Sequence, residues 1–151
     1  MKDATLDYAL RTTWLAVAKM YNEEAAKFDS TMATGFALLS IDPEKGTPST
    51  SLGPKMGMEA TSLSRILKTM EEKGLIERKP NPEDGRGVLI FLTNFGKEKR
   101  EYSRERVLTF NNTIRDNVSE EKMNHFYDVI EVINNMISNK KIYNQKEHTI
   151  K

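Results

Sequence analysis

Cysteine is absent from the chain. That excludes disulfides, zinc–thiolate sites, iron–sulfur clusters and thiol redox sensing. Histidine is nearly absent, with only His125 and His148, too few for histidine-rich metal or acid–base chemistry, so no metal site and no cofactor is expected. There is no Ser/His/Asp arrangement, no pair of catalytic carboxylates and no phosphate-binding glycine loop, so an enzyme is not expected. No run approaches the ~18 consecutive apolar residues of a membrane span. The opening MKDATLDYALRTTW lacks the apolar stretch of a signal peptide, so a cytoplasmic protein without a membrane partner is expected. An excess of one charge is missing too, the net being +1.

What is present is a single-domain length, 151 residues, with 38% hydrophobic and 30% charged residues. That balance suits a polar globular domain sharing part of its apolar surface between subunits. The charge is unevenly spread. From Lys55 to Arg106 twelve Lys/Arg stand against nine Asp/Glu, whereas the rest of the chain has eleven against thirteen. A basic centre between acidic flanks is a weak footprint of an anion-binding surface.

Apolar residues over 4–28 recur every three or four positions (Leu6, Leu10, Trp14, Val17, Tyr21, Ala25, Phe28), one helical stripe, with Thr5 or Asp3 as its cap. Asp29-Ser30-Thr31 offers caps for a second helix from about Met32 to Ile41, in which Gly35 is a weak point or a close contact. The stretch 42–48 reads as a turn, followed by a short helix within Ser49–Met56. Gly53-Pro54 either shortens that helix or places Pro54 in its first turn. After a turn at Gly57-Met58, Glu59–Lys73 is helical, with Leu63, Ile66, Leu67 and Met70 on one side and Gly74 as the cap.

The period then changes. Residues 75–79 and 88–92 read as two strands joined by a polar tip over 80–87, longer than a tight turn. Thr93 caps a charge-rich helix from about Asn94 to Asn117. Ser119-Glu120-Glu121 starts a last helix with the stripe Phe126, Val129, Ile130, Ile133, Ile137, and residues 141–151 are polar and frayed. The predicted class is mainly α with a small β-wing (α+β), one domain over 1–151. Its winged helix-turn-helix core lies at about 47–93, between long helices at about 4–28 and 94–140.

In a winged helix the second helix of the motif enters a major groove and the hairpin reaches along the backbone toward the minor groove. With the apolar side turned inward, Thr61, Ser62, Ser64, Arg65, Lys68 and Thr69 remain for double-stranded DNA. They offer hydroxyls for phosphates and base edges, and a guanidinium able to bridge guanine O6 and N7. Ordinary solvated helix positions are the competing explanation. At the wing, Arg86 between Gly85 and Gly87 can carry a cation into a narrow minor groove, with Asp84 holding it by a short ion pair. A surface ion pair on a polar hairpin is the plain alternative. Lys79 is a generic phosphate candidate.

The run MGMEATSLSRILKTMEEKGLIERKPNPEDGRGVLIFLTNFGKE closely resembles the DNA-binding core of the MarR family of bacterial transcriptional regulators. The likeness is carried by the Leu63/Ile66/Leu67/Met70 helix, Glu71 with Lys73-Gly74-Leu75-Ile76-Glu77-Arg78, the Asp84-x-Arg86 wing and Leu92-Thr93, over about Thr47 to Glu98. Gly53-Pro54 and Ala60 depart from the family pattern, the first where a regular helix is usual, the second where a polar residue often sits.

The resemblance implies an obligate homodimer made by the first helix and the last two. Leu6, Leu10, Phe126, Ile130, Ile133 and Ile137 are its expected interface. It also implies a pseudo-palindromic operator and a repressor released by a small effector, such as an aromatic or fatty-acyl acid. The effector pocket would be lined by Trp14, Tyr21 and Phe36, although aromatics at helical spacing also suit plain packing. A winged-helix protein-interaction module without DNA binding is the alternative function.

Overall fold

A computed structural model describes residues 2–144, so His148 and the end of the expected frayed tail lie outside the described residues. The elements are α1 (Leu6–Ala26), α2 (Met32–Ser40), β1 (Thr47–Pro48), α3 (Ser49–Met56), α4 (Ala60–Glu72), β2 (Ile76–Asn81), β3 (Asp84–Leu92), α5 (Asn94–Asn117) and α6 (Glu120–Ser138). The chain divides into two compact units, Met1–Arg106 and Val107–Lys151, and α5 runs through the boundary.

In the first unit the core is drawn from α2 through β3. Leu38 and Ile41 pack with Leu52 of α3, with Leu63, Leu67 and Met70 of α4, and with Ile76, Ile90 and Leu92 of the sheet. Each such side chain contributes ~1.5–3 kcal/mol by leaving water. The sheet is antiparallel in the order β1-β3-β2, with Ile76 opposite Leu92 and Arg78 opposite Ile90.

Local chemistry sets the joints. Asn22 of α1 accepts the Met32 N–H at 3.0 Å and Thr31 accepts the Thr34 N–H at 3.2 Å, so two of the donors left open at the start of α2 are met. Gly57 adopts a left-handed conformation (φ 60°) that lets Met58 N–H reach the Gly53 carbonyl at 2.9 Å, closing α3. Thr93 caps α5 by accepting the Gly96 N–H at 3.0 Å, and its hydroxyl donates to the Gly74 carbonyl. Gly96 is required there, since a Cβ would lie 1.9 Å from the Leu75 carbonyl oxygen. Gly35 is a close contact, with a Cβ there lying 3.3 Å from Ser103 Oγ.

Four expectations are corrected. Thr47-Pro48 is a short strand, because Thr47 pairs with Ile90 and its buried hydroxyl accepts the Asp42 N–H at 2.9 Å. Pro54 sits in the second half of α3, not its first turn; the carbonyl it strands belongs to exposed Thr50, where water can reach it. The strands run on to Asn81 and from Asp84, so the long tip shrinks to Pro82-Glu83. Thr5 stands at the cap position of α1 but its side chain bonds none of the open helix N–H groups.

In the second unit Ser119 accepts the Lys122 N–H at 3.4 Å and Glu120 and Glu121 occupy the first turn of α6, complementing its dipole. No residue of α6 is buried.

Candidate nucleic-acid interface

Only Gly57-Met58-Glu59 separates α3 from α4, and that short joint turns the second helix outward. Leu63, Leu67 and Met70 bury one side of α4 at 6%, 3% and 0% exposure. Helical spacing then directs Thr61, Arg65 and Lys68 away from the core, with Ser62, Ser64 and Thr69 on the flanks, and all six are exposed. Thr69 donates its hydroxyl to the Arg65 carbonyl at 3.1 Å, so its proton is used within the helix and its oxygen is left as an acceptor. Ala60 opens the helix with no polar side chain to offer.

The wing tip is built by two carboxamide and carboxylate turns in succession. Asn81 Oδ1 accepts the Glu83 N–H at 3.0 Å, and Asp84 Oδ1 accepts the Arg86 N–H at 3.1 Å. Asn81 pairs with Asp84 while Pro80 pairs with Val88, so Gly85-Arg86-Gly87 bulges out of β3 without partners on β2. A Cβ at Gly87 would stand 3.1 Å from Asp84 Oδ2, whereas Gly85 faces open space. This corrects the expected Asp84–Arg86 ion pair. A carboxylate that caps a turn faces the backbone N–H two residues on, so it fixes the position of Arg86 and leaves the guanidinium exposed.

The cations of α4, the turn after it and the wing fall into two groups. Among the described residues Arg65, Lys68 and Arg86 form no ion pair. Lys79 is 3.1 Å from Glu77 and lies 4.8 Å over the Phe91 ring, Arg78 Nε is 2.6 Å from Glu71, and Lys73 donates to the Asp29 carbonyl at 2.7 Å. Desolvation of paired cations is already offset within the fold; the unpaired ones are available to an outside anion.

The candidate effector residues are not brought together as a set. Tyr21 and Phe36 meet edge to face at 5.8 Å and 71°, and burial pushes the Tyr21 hydroxyl above its ordinary value of 10.0. Trp14 is 52% exposed and lines a shallow groove of about 270 Å³ with Ala9, Leu10, Thr13 and Val17. Sequence reasoning missed the Glu71–Arg78 and Asp29–Lys73 pairs, as well as the Phe28 ring tilted at 55° against Tyr102, 4.2 Å away. Glu71 and Arg78 lay within the quoted motif, but seven residues across a turn is not a helical spacing that reveals a contact.

A model of the MarR family matches residues 31–88. The uncharacterized HTH-type transcriptional regulator YdgJ of Bacillus subtilis is 34% identical over 88 residues, covering 58% of this chain. The chain spans about half the length of the curated relatives it matches, 54% in that case. Among solved structures, MepR of S. aureus in complex with DNA superposes with a TM-score of 0.80 at 20% identity, covering 89% of this chain and 99% of that one. The PcaV transcriptional regulator from Streptomyces coelicolor, in complex with its natural ligand, gives 0.74 at 18% identity, covering 87% and 93%. At these identities the structural likeness concerns the fold: helices around a small three-stranded wing.

Proposed function

We propose that this chain, whose residues 31–88 match a model of the MarR family, is a homodimeric DNA-binding transcriptional regulator, a repressor released from a pseudo-palindromic operator by a small acidic effector. One observation carries this reading. The described cations without an ion pair include Arg65 and Lys68 on the outward side of α4 and Arg86 on the wing bulge, the two elements that a winged helix lays on DNA. Arg65, with the hydroxyls of Thr61, Ser62 and Ser64 around it, reads base edges; Lys68 and the wing Arg86 supply phosphate and minor-groove attraction. Lys79 serves as a phosphate contact only by leaving Glu77.

The dimer reading is supported by apolar surface that the chain leaves open. Leu6 of α1 is 67% exposed, and Phe126 and Ile137 of α6 are 53% and 59% exposed. Leu10, Ile130 and Ile133 continue those stripes. For the effector, Tyr21 and Phe36 offer an aromatic wall with a phenol, and Trp14 a fluorescent reporter in the adjoining stretch of α1.

The direct test is a mobility-shift titration with the intergenic DNA beside the gene, run against random duplex of equal length. Retardation of the first at concentrations that leave the second free supports the reading. Equal behaviour on both duplexes contradicts sequence-specific regulation. Repeating the titration with benzoic and fatty acids while recording Trp14 fluorescence tests the effector part: release accompanied by quenching is expected, and release without any change at Trp14 places the ligand elsewhere.

A further inference from the structure

Glu71 stands in the last turn of α4 and Arg78 in the middle of β2, and their side chains meet with Nε 2.6 Å from Oε2. They join the two elements assigned to DNA. Up to this point the wing is held by the core: Ile76 is 2% exposed, and Ile90, opposite Arg78, is fully buried. Beyond it no side chain from Lys79 to Gly87 is buried, and only the half-buried Val88, opposite Pro80, still packs against the core. The outer wing therefore projects as an arm, and near its base the Arg78 side chain ties β2 to Glu71 of α4.

We propose that Glu71 and Arg78 clamp the wing at a fixed angle to the recognition helix, acting as positioning residues for DNA binding. The proposal rests on the DNA-binding reading above. Its physical basis is leverage. The arm from Arg78 to the tip at Pro82 is ~13 Å long at ~3.3 Å per residue, so a tilt of ~5° at the base displaces the tip by ~1 Å. Hydrogen bonds from Arg86 tolerate only a few tenths of an ångström of error. Both side chains are about half exposed, at 40% and 48%, and an ion pair of that kind adds little to stability. Its contribution lies in geometry. Asp84 fixes Arg86 within the tip through the backbone; Glu71 and Arg78 fix the tip relative to α4.

The test begins by letting the wild-type protein select a duplex from a random-sequence pool, and then measures affinity for that duplex by fluorescence anisotropy. Glu71→Gln is expected to weaken binding about 3–10-fold with an unchanged thermal midpoint. In the Glu71→Gln background Arg86→Ala should cost less than it does in the wild type, because an arm already loose has lost part of what Arg86 provides. The charge-exchanged pair, Glu71→Arg with Arg78→Glu, should recover part of the affinity. Unchanged binding by Glu71→Gln, or full additivity with Arg86→Ala, would overturn the clamp while leaving DNA binding standing. Tighter binding by Glu71→Gln would overturn it also, by showing that Arg78 is a phosphate contact that Glu71 restrains. If the wild type selects no duplex, the DNA-binding reading fails, and the clamp with it.

Discussion

Helices α4 and α6 are both amphipathic, yet α4 buries its apolar stripe and α6, among the described residues, buries no side chain. In α4 the apolar stripe of Leu63, Leu67 and Met70 is buried, and what faces outward is hydroxyl and cation. In α6 no residue is buried; Phe126, Tyr127, Val129, Val132 and Ile137 remain exposed large hydrophobics. A helix with a covered stripe can devote its other side to a ligand. A helix with an uncovered stripe of this size calls for another protein surface. In the function proposed above, α4 and the wing take DNA and α6 takes a second copy of the chain.

The comparison is broken most severely by charging the open helix. Replacing Ile130 and Ile133 with Asp should reduce the light-scattering mass to that of a monomer at micromolar concentration and abolish tight operator binding. Each uncompensated carboxylate in an apolar interface costs about 3–5 kcal/mol. A dimer of unchanged mass would show that these positions lie outside the interface.

The closed half should fail differently, by overpacking. Gly96→Ala places a methyl group 1.9 Å from the Leu75 carbonyl oxygen, and backbone on both sides cannot yield cheaply. A loss of about 3 kcal/mol is expected, read from the urea midpoint. A loss below about 1 kcal/mol would mean that α5 can shift away from the turn at Leu75.

On the outward side of α4, Arg65→Ala should cost about 1–3 kcal/mol on the operator and flatten discrimination at one base pair of each half-site. Equal losses on operator and random DNA, measured at one salt concentration, would reduce Arg65 to a backbone contact.

The smallest effect concerns acid. Asp42 accepts the N–H groups of Lys45 and Glu44, both at 2.8 Å, and these bonds hold its carboxyl below the ordinary 3.8. A folded-state pKa that is lowered contributes stability above the unfolded pKa, and this is lost as pH falls through the folded value. Asp42→Asn keeps an acceptor oxygen but cannot titrate, so its stability should fall slightly less steeply below about pH 4. Denaturation midpoints at pH 7 and pH 3 compare the two proteins, and parallel curves would show that Asp42 is not part of the acid response.

Much of this organisation was legible in the residues. The three-and-four spacing of Leu63, Ile66, Leu67 and Met70 identifies the buried side of α4 directly, because burial and helical period are the same fact seen twice. Gly57 and Gly74 mark helix ends through left-handed conformations, φ 60° and 71°, that side chains with a Cβ rarely adopt. The illegible parts depend on long-range pairing. Thr47-Pro48 carries no strand pattern of its own and becomes one only because Ile90 lies beside it. The wing tip shortened because Asn81 and Asp84 each bond a backbone N–H two residues on, which a count of polar residues does not show. Asp84 bonds the Arg86 backbone N–H, a contact within the turn that charge alone does not reveal. At the candidate effector site the family resemblance grouped Trp14 with Tyr21 and Phe36, and of these the Tyr21 and Phe36 rings meet.

The proposal that the unpaired cations of α4 and the wing serve DNA is tested most directly at Arg86, by measuring operator affinity and thermal midpoint on the same Arg86→Ala preparation. The account predicts affinity lowered about tenfold or more, most strongly where the flanking sequence is A·T-rich, with stability within about 0.5 kcal/mol of the wild type. Unaltered affinity, or a protein that unfolds, would contradict it.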